Sequence, residues 1–180
     1  HNHQDLFFVF LLNRLYNFHW IVPDEEARSS QSYLGGLGAF LKSHALTGMI
    51  NLRGWHPDVA WWLYETETCS RLDVAHFDAM MDSKRLPLRQ MLVTLIEAFE
   101  AAPRPFIVKC SGGQDRTSFA AALYLIHTRG WDARGDAEKQ FARWPYLHFP
   151  KAQQRWLKPF LQFAQIEAQG APLAQWVCER

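Results

Sequence analysis

Cysteine is scarce in this chain, and the few that occur do not form a disulfide framework. Three are present among 180 residues, Cys69, Cys110 and Cys178. An odd number cannot pair completely, and small disulfide-stabilised domains carry many more. The composition therefore excludes a disulfide scaffold and favours a reducing compartment, which we expect to be the cytoplasm. A periplasmic or membrane-anchored location would require an export signal or anchor upstream of His1.

An excess of one charge and a long apolar run are also lacking. The 19 Lys and Arg against 18 Asp and Glu leave a formal net charge of +1, which argues against nucleic acid or an anionic membrane as partner. The apolar run from Leu6 to Leu12 is far shorter than the ~20 residues that span a bilayer. Only His1 and His3 are close together among the eight histidines, so we predict no metal site.

Apolar and aromatic side chains, by contrast, are plentiful. Hydrophobic residues make up 48% of the sequence and include 8 tryptophans, enough for one substantial core. We therefore expect residues 1–180 to form a single catalytic domain, whose oligomeric state the sequence leaves open.

Strand and helix patterns alternate along the chain. Residues 46–52, 74–80 and 106–108 read as strands, while 57–69 and 88–99 read as helices. This alternation predicts an α/β fold with a central, mostly parallel sheet flanked by helices. Further helices are predicted over residues 6–20, 134–143 and 152–168, with Pro159 kinking or dividing the last one and Gly170 ending it.

One segment joins an apolar strand to a helix through a glycine-containing loop. Residues 105–121 read PFIVKCSGGQDRTSFAA. Main-chain N–H groups of such a loop, at a helix N-terminus, can curl around an anion, and Gly112 and Gly113 are expected to permit the curl. Arg116 would grip two phosphate oxygens. The predicted phosphate-binding residues are Ser111, Gly112, Gly113, Gln114, Asp115 and Arg116.

Cys110 occupies the position of a nucleophile at the start of this loop. A helix N-terminus and a nearby arginine can lower a thiol pKa from roughly 8.5 to roughly 3.5–7.5, which makes the thiolate available at neutral pH. Thr117 can donate its hydroxyl to the sulfur and ease departure of the thiolate. We predict that Cys110, Arg116 and Thr117 are catalytic.

These residues make the chain resemble the cysteine-dependent protein tyrosine and dual-specificity phosphatases, whose signature is a cysteine, five residues, an arginine and a serine or threonine. Residues 17–23 (NFHWIVP), 28–31 (RSSQ) and 51–54 (NLRG) resemble landmarks of the small bacterial members. Two positions differ. Lys109 stands where many members have a histidine that orients the loop, and Ser118 where many have glycine. The resemblance implies a protein-tyrosine-phosphatase-like fold.

Cleavage of a phosphate monoester also needs an acid to protonate the leaving oxygen. Asp82 follows the strand at 74–80, on the edge of the sheet where Cys110 lies, and dual-specificity phosphatases carry their acid at about this place. We therefore predict Asp82 as the general acid. Asp78 and Asp115 are the alternatives, and a turn residue is the non-catalytic interpretation of Asp82.

The predicted function is phosphomonoester hydrolysis through a cysteinyl-phosphate, without a cofactor. Phosphorylated proteins, phosphotyrosine especially, are the expected substrates, because the loop holds no lysine and Asp115 adds negative charge. The alternatives are a phosphoinositide or other lipid phosphatase, a sulfurtransferase, and a silent phosphate-binding module. Arg53, Lys84 and Arg85 are candidate cations at the rim of the site.

Overall fold

The computed structural model describes residues 3–32 and 35–179, and the side chains of these residues from position 9 onward. The strands are β1 (His19–Val22), β2 (Glu26–Ser29), β3 (Gly48–Asn51), β4 (Ala75–Asp78) and β5 (Phe106–Lys109). The helices are α1 (His3–Leu15), α2 (Leu37–Ser43), α3 (Ala60–Arg71), α4 (Arg89–Ala101), α5 (Asp115–Arg129), α6 (Arg134–Glu138), α7 (Leu157–Ala168) and α8 (Leu173–Glu179). Short 3-10 turns lie at Trp131–Ala133, Lys139–Phe141 and Ala152–Gln154.

The strands form one sheet in the order β1-β2-β5-β3-β4. Strands β2, β5, β3 and β4 run parallel, and β1 returns antiparallel along the edge of β2. The predicted α/β fold with a mostly parallel central sheet is therefore confirmed. In parallel sheets of this kind, ligand sites lie beyond the carboxyl ends of the strands. The central strand β5 ends at Lys109, directly before Cys110.

Alternate residues of β5 face opposite sides of the sheet, since successive side chains of a strand point to opposite faces. Phe106 and Val108 pack in a core formed with α4, α5, α7 and α8. Ile107 packs on the other side, in a core formed with α1, α2 and α3. Both faces of the sheet are covered, as its apolar strands require.

Helix α5 runs through the centre of the first of these cores. Ten consecutive residues, Thr117 to Ile126, are buried. A helix that is buried on every side is a core helix and not a surface helix. The segment that follows the phosphate loop is therefore fixed by the core.

Two predicted helices have different bounds in the structure. The helix predicted over residues 6–20 ends at Leu15, because Asn17 adopts a left-handed backbone conformation with φ 49°, and Trp20 lies in β1. The helix predicted from Pro57 begins at Ala60, because a turn closed by the Val59 N–H and the His56 carbonyl comes before it.

The C-terminal helices also differ from the prediction. The helix predicted over residues 134–143 gives way to a 3-10 turn after Glu138. Pro159 neither kinks nor divides α7, because it lies in the first turn, where its missing N–H has no intrahelical partner. The break lies earlier, at residues 155 and 156. Helix α7 ends where Gln169 and Gly170 both take positive φ, which confirms Gly170 as part of a terminator.

Among the residues described, none of the helices combines the length and apolar character that crossing a bilayer demands.

Candidate active site

The predicted phosphate loop connects the end of β5 to the start of α5. It opens into a polar pocket of about 340 Å³ at the carboxyl edge of the sheet. The pocket is lined by Ser83, Lys84, Cys110, Ser111, Gly112, Gln114, Asp115, Arg116 and Gln154. The structure therefore brings most of the predicted site residues together around one cavity.

The Cys110 thiol lies at the bottom of this pocket and is 3% exposed. The Thr117 hydroxyl donates to Sγ at 3.0 Å, and the Gly113 N–H lies 3.2 Å from Sγ. Burial raises the pKa of Cys110, but the Arg116 charge and the Thr117 hydrogen bonds outweigh burial and bring the pKa below its usual value. The geometry predicted for Cys110 and Thr117 is present, and it favours a thiolate.

Arg116 is placed by the loop and by the neighbouring strand. Its Nη2 donates to Ser111 Oγ at 2.9 Å, and Nη1 lies 3.4 Å from the Leu52 carbonyl just after β3. These contacts hold the planar guanidinium across the pocket, where its remaining N–H groups face an incoming anion.

The two loop glycines are not equivalent. Gly113 has φ +63°, and a Cβ there would lie 2.7 Å from the Ser30 nitrogen, so only glycine fits. Gly112 has no such φ, and a Cβ there would meet only the Gln114 side chain, at 3.8 Å or more. The expectation that both glycines permit the curl is therefore correct for Gly113 and wrong for Gly112.

Arg28 of β2 supports the loop from below and has no predicted role. Its Nη2 donates to the Gly113 carbonyl at 3.1 Å and to Ser118 Oγ at 2.8 Å, and Nη1 donates to the Gln140 carbonyl at 3.1 Å. Burial lowers its pKa to about 10, far enough above neutrality that the group stays charged. The Ser118 hydroxyl, at a position where many resembling phosphatases have glycine, thus accepts a bond from this arginine.

A signal for Arg28 was present in the sequence. An arginine in a strand of an otherwise buried sheet needs polar partners, since a buried charge is rarely unpaired. Asn17 supports the same part of the loop, and its Nδ2 donates to the Gly113 carbonyl at 3.1 Å.

The three candidate acids lie in different surroundings. The Asp82 carboxylate accepts the Lys84 N–H at 2.8 Å and is half-buried beside the pocket, on the segment whose next two residues line it. Asp78 is the last residue of β4 and not mid-strand, and its carboxylate accepts from Asn51 and Trp62. Asp115 lines the pocket directly. The assignment of Asp82 as the acid stays a prediction.

A segment after α6 contacts both sides of the pocket, and no role in the site was predicted for it. Gln154 Nε2 donates to Asp115 Oδ2 at 2.8 Å and lies 3.4 Å from Ser83 Oγ. Trp156 Nε1 donates to the Ser83 carbonyl at 3.1 Å. The buried His148 places Nε2 at 3.2 Å from Asp115 Oδ1. This segment, residues 148–156, connects the loop to the segment that bears Asp82.

The candidate rim cations separate in the structure. Lys84 lines the pocket, whereas Arg85 is exposed beyond it. Arg53 stacks on the Trp61 ring at 3.7 Å and donates to Gln31 Oε1 at 3.0 Å. Across the described part of the chain, no group of three or more His, Cys, Asp and Glu side chains is arranged to hold a metal ion.

Comparison with known proteins places this fold among phosphatases. No protein-family model and no curated protein sequence matches the chain. Among solved structures, TpbA of P. aeruginosa is similar with a TM-score of 0.63 at 17% identity, covering 92% of each chain. A variant of TpbA in complex with phosphotyrosine has a TM-score of 0.62 at 16% identity, covering 93% of each chain.

A yeast enzyme is similar as well. The core catalytic domain of the PP-IP phosphatase SIW14 from S. cerevisiae has a TM-score of 0.59 at 14% identity, over 87% of this chain and 94% of that one. The chain therefore has the fold of the cysteine-based tyrosine and dual-specificity phosphatases, as the resemblance of its sequence implied.

Proposed function

We propose that this protein hydrolyses phosphate monoesters through a cysteinyl-phosphate intermediate. The observation that carries the proposal is the environment of Cys110, whose sulfur accepts hydrogen bonds from Thr117 and Gly113 beside the Arg116 guanidinium. A structural buried cysteine has a raised pKa, as Cys69 has at about 12, whereas the pKa of Cys110 is lowered. A thiolate facing a polar pocket is arranged for nucleophilic attack.

The first chemical step is attack of the Cys110 thiolate on phosphorus. The S–P bond forms as the P–O bond to the leaving group breaks, and the proton of Asp82 passes to the departing oxygen. Arg116 and the loop N–H groups stabilise the charge on the three remaining oxygens by position and electrostatics alone. The loop therefore binds the same phosphoryl oxygens in the substrate complex and in the transition state, where its hydrogen bonds to them become stronger.

The second step is hydrolysis of the cysteinyl-phosphate. The Asp82 carboxylate takes a proton from water, the water oxygen attacks phosphorus, and the S–P bond breaks to return the thiolate. The Thr117 hydroxyl stabilises that thiolate by the bond it already donates at 3.0 Å. Asp82 suits both roles better than Asp78, because the Asp78 carboxylate is held by Asn51 and Trp62.

Phosphorylated protein side chains, phosphotyrosine in particular, are the proposed substrates. The loop from Ser111 to Asp115 has no cation, and the Asp115 carboxylate lines the pocket, which disfavours a ligand with several phosphates. The similarity to TpbA, whose variant has been seen with phosphotyrosine, supports this choice.

A highly phosphorylated inositol substrate is the second candidate. It is favoured by Lys84 in the pocket lining and by the similarity to SIW14, a PP-IP phosphatase. A phosphotyrosine peptide and soluble inositol phosphates, compared by kcat/KM at matched ionic strength, distinguish the two, because that ratio reports selectivity in the transition state. A clear preference for the inositol phosphates would reverse the assignment.

Turnover of 4-nitrophenyl phosphate tests the reaction itself. Cys110→Ser is expected to abolish hydrolysis while inorganic phosphate still binds, because the loop N–H groups are the binder and the thiolate is the nucleophile. Vanadate should inhibit the native protein, and chelators should leave its activity unchanged. Thiosulfate cleavage in place of phosphatase activity would indicate a sulfurtransferase, and phosphate binding without any turnover a silent module.

A further inference from the structure

Lys109, the residue before Cys110, is a buried lysine. It ends β5 and its side chain is 2% exposed, on the face of the sheet that packs against α3. Its Nζ lies 2.6 Å from Glu65 Oε2 and donates to Gln31 Oε1 at 2.8 Å. The Trp61 ring covers the same ammonium group, with Nζ 4.7 Å from the ring centroid.

Glu65 of α3 is the anion of this network and is equally buried. Oε2 accepts from Lys109 and from Gln31 Nε2, the latter at 2.7 Å, and Oε1 lies 2.9 Å from His76 Nε2 on β4. Burial raises the pKa of Glu65, but the bond from His76 and the Lys109 charge outweigh burial and keep the pKa below its usual value. The carboxylate is therefore ionised and holds its partners in fixed positions.

Gln31 connects this network to the phosphate loop. Its main-chain N–H donates to the Ser111 carbonyl at 3.1 Å, in the residue after the nucleophile. Its side-chain Oε1 accepts from both Lys109 Nζ and Arg53 Nη1. The Lys109–Glu65 pair thus holds the Gln31 side chain, which holds Arg53, while the main-chain N–H of the same residue holds the Ser111 carbonyl.

Fold stability alone does not explain a charged pair in this place. Replacing a buried ion pair by well-packed apolar side chains is often neutral or stabilising, because desolvation offsets the attraction between the charges. The pair instead puts a cation one residue from the thiolate. Burial lowers the pKa of Lys109 to about 8, against the opposing effect of Glu65, so the ammonium form predominates at neutral pH.

We propose that Lys109, held by Glu65, is a positioning residue for the phosphate loop. It fixes Gln31, which holds the Ser111 carbonyl and Arg53, and its charge favours the thiolate form of Cys110. The expected change in kcat rests on the proposed hydrolysis. The expected change in the pKa of the Cys110 thiol does not, because it is measured without turnover.

The test removes both charges together. Lys109→Met with Glu65→Met leaves no unpaired buried charge, so the double variant is expected to fold. The rate at which iodoacetamide alkylates Cys110, followed against pH by mass spectrometry of the peptide that contains it, reports the thiolate directly. We expect the apparent pKa of Cys110 to rise by up to about one unit, because the lost Lys109 cation is coupled to Cys110 and loss of the Glu65 anion offsets only part of its effect, and kcat for 4-nitrophenyl phosphate to fall by up to about tenfold.

A second variant leaves the ion pair in place. Gln31→Met removes the amide that joins Lys109 to Arg53 but keeps the main-chain N–H, and it should move the alkylation profile and kcat in the same direction. Lys139→Met is the matched control, because Lys139 makes an ion pair of the same 2.6 Å length with Asp136 but is 76% exposed. It should leave both measurements unchanged.

The pH dependence of kcat supplies a signature of the Lys109 charge. The groups that face Lys109 are Glu65 and Cys69 on α3, Arg53 after β3, and Cys110 beside it, with His76 behind Glu65. As the pH rises through about 8, the native protein loses the Lys109 proton, so its advantage in kcat over the double variant should shrink.

A folded double variant and a folded Gln31→Met variant with native alkylation profiles would overturn the inference and leave Lys109 and Glu65 as a structural pair. A native protein with no Cys110-dependent hydrolysis would instead defeat the proposed function. The alkylation profiles would still decide whether Lys109 acts on the thiol.

Discussion

The floor and the rim of the pocket are built differently. The floor, which consists of Arg28, Cys110, Gly113 and Thr117, is buried or closely packed and is joined by hydrogen bonds between distant parts of the chain. The rim, which consists of Asp82, Ser83, Lys84 and Gln154, is half-buried or exposed and is held by a few contacts.

This difference separates two tasks of the proposed reaction. Binding and stabilising a phosphoryl group requires donors that do not reorganise, and buried hydrogen bonds supply them. Proton transfer to varied leaving groups tolerates a mobile acid, which the rim allows. We therefore expect loss of a buried hydrogen-bond donor in the floor to affect folding and activity together, and substitutions in the rim to affect activity alone.

Arg28→Met should have the largest effect. It leaves the buried Ser118 hydroxyl without this donor, and it leaves the Gly113 carbonyl with the Asn17 amide alone. We expect the free energy of unfolding to fall by at least about 1.5–3 kcal/mol, the contribution of one hydrogen bond to a charged group, with loss of phosphatase activity. Urea denaturation measures it.

Arg134→Met is the control for Arg28→Met. Arg134 pairs with Glu138 at 3.1 Å on the surface of α6, where such pairs contribute about 0.3–0.5 kcal/mol. Equal losses of stability in the two variants would show that the buried contacts of Arg28 contribute no more than a surface ion pair.

Asp82→Asn should have the next largest effect, and on activity only. For an alkyl phosphate, which has a poor leaving group, kcat is expected to fall about 10²-fold, the lower end of the range for general acid catalysis. For 4-nitrophenyl phosphate the loss should be much smaller, because that leaving group needs little protonation. Stability should be unchanged within about 0.5 kcal/mol.

The two other aspartates serve as comparisons for Asp82→Asn. Asp115→Asn keeps a group that can accept from Gln154, and Asp78→Asn keeps one that can accept from Trp62. A steeper dependence on the leaving group in either variant than in Asp82→Asn would move the acid to that residue.

Gln154→Leu should have the smallest effect. It removes one bond to Asp115 and a longer contact to Ser83, while Trp156 still holds the Ser83 carbonyl. One hydrogen bond of about 0.5–1.5 kcal/mol corresponds to a decrease in kcat of about 2–10-fold. Native kcat for alkyl phosphates would show that Gln154 does not position the acid-bearing segment.

The sequence predicted the fold and the centre of the site, because both have local signals. The β-prone residues before Cys110, the helical spacing after it and the spacing to Arg116 lie within a short segment, and the structure has a strand, a loop and a helix there. Gly112 shows the limit of such signals, since the two adjacent glycines are alike in sequence and only Gly113 needs its freedom.

The residues that support the site are distant from the loop in sequence, so local pattern marked Arg28 and Gln31 only as part of a landmark and did not predict their contacts with the loop. Arg28 lies 85 positions before Gly113, the loop residue that it contacts. Gln31 lies 80 positions before Ser111, whose carbonyl it binds. Gln154 contacts Asp115 across 39 positions, from a segment whose pattern predicts only the start of a helix. The ends of helices were also less predictable, since α1 ends at Leu15, two residues before the left-handed Asn17, and the spacing of apolar residues does not specify that end.

Helix α5 has one further consequence, for the way the protein opens. Because ten consecutive residues after the loop are buried in the core, main-chain N–H groups there cannot reach solvent unless the core itself opens. Their hydrogens should exchange with deuterium only through global unfolding. The half-exposed segment from Asp82 to Lys84 can open by itself, so its hydrogens should exchange far sooner. A molecule that loses the order of its rim many times would still keep its phosphate loop intact until the whole fold melts.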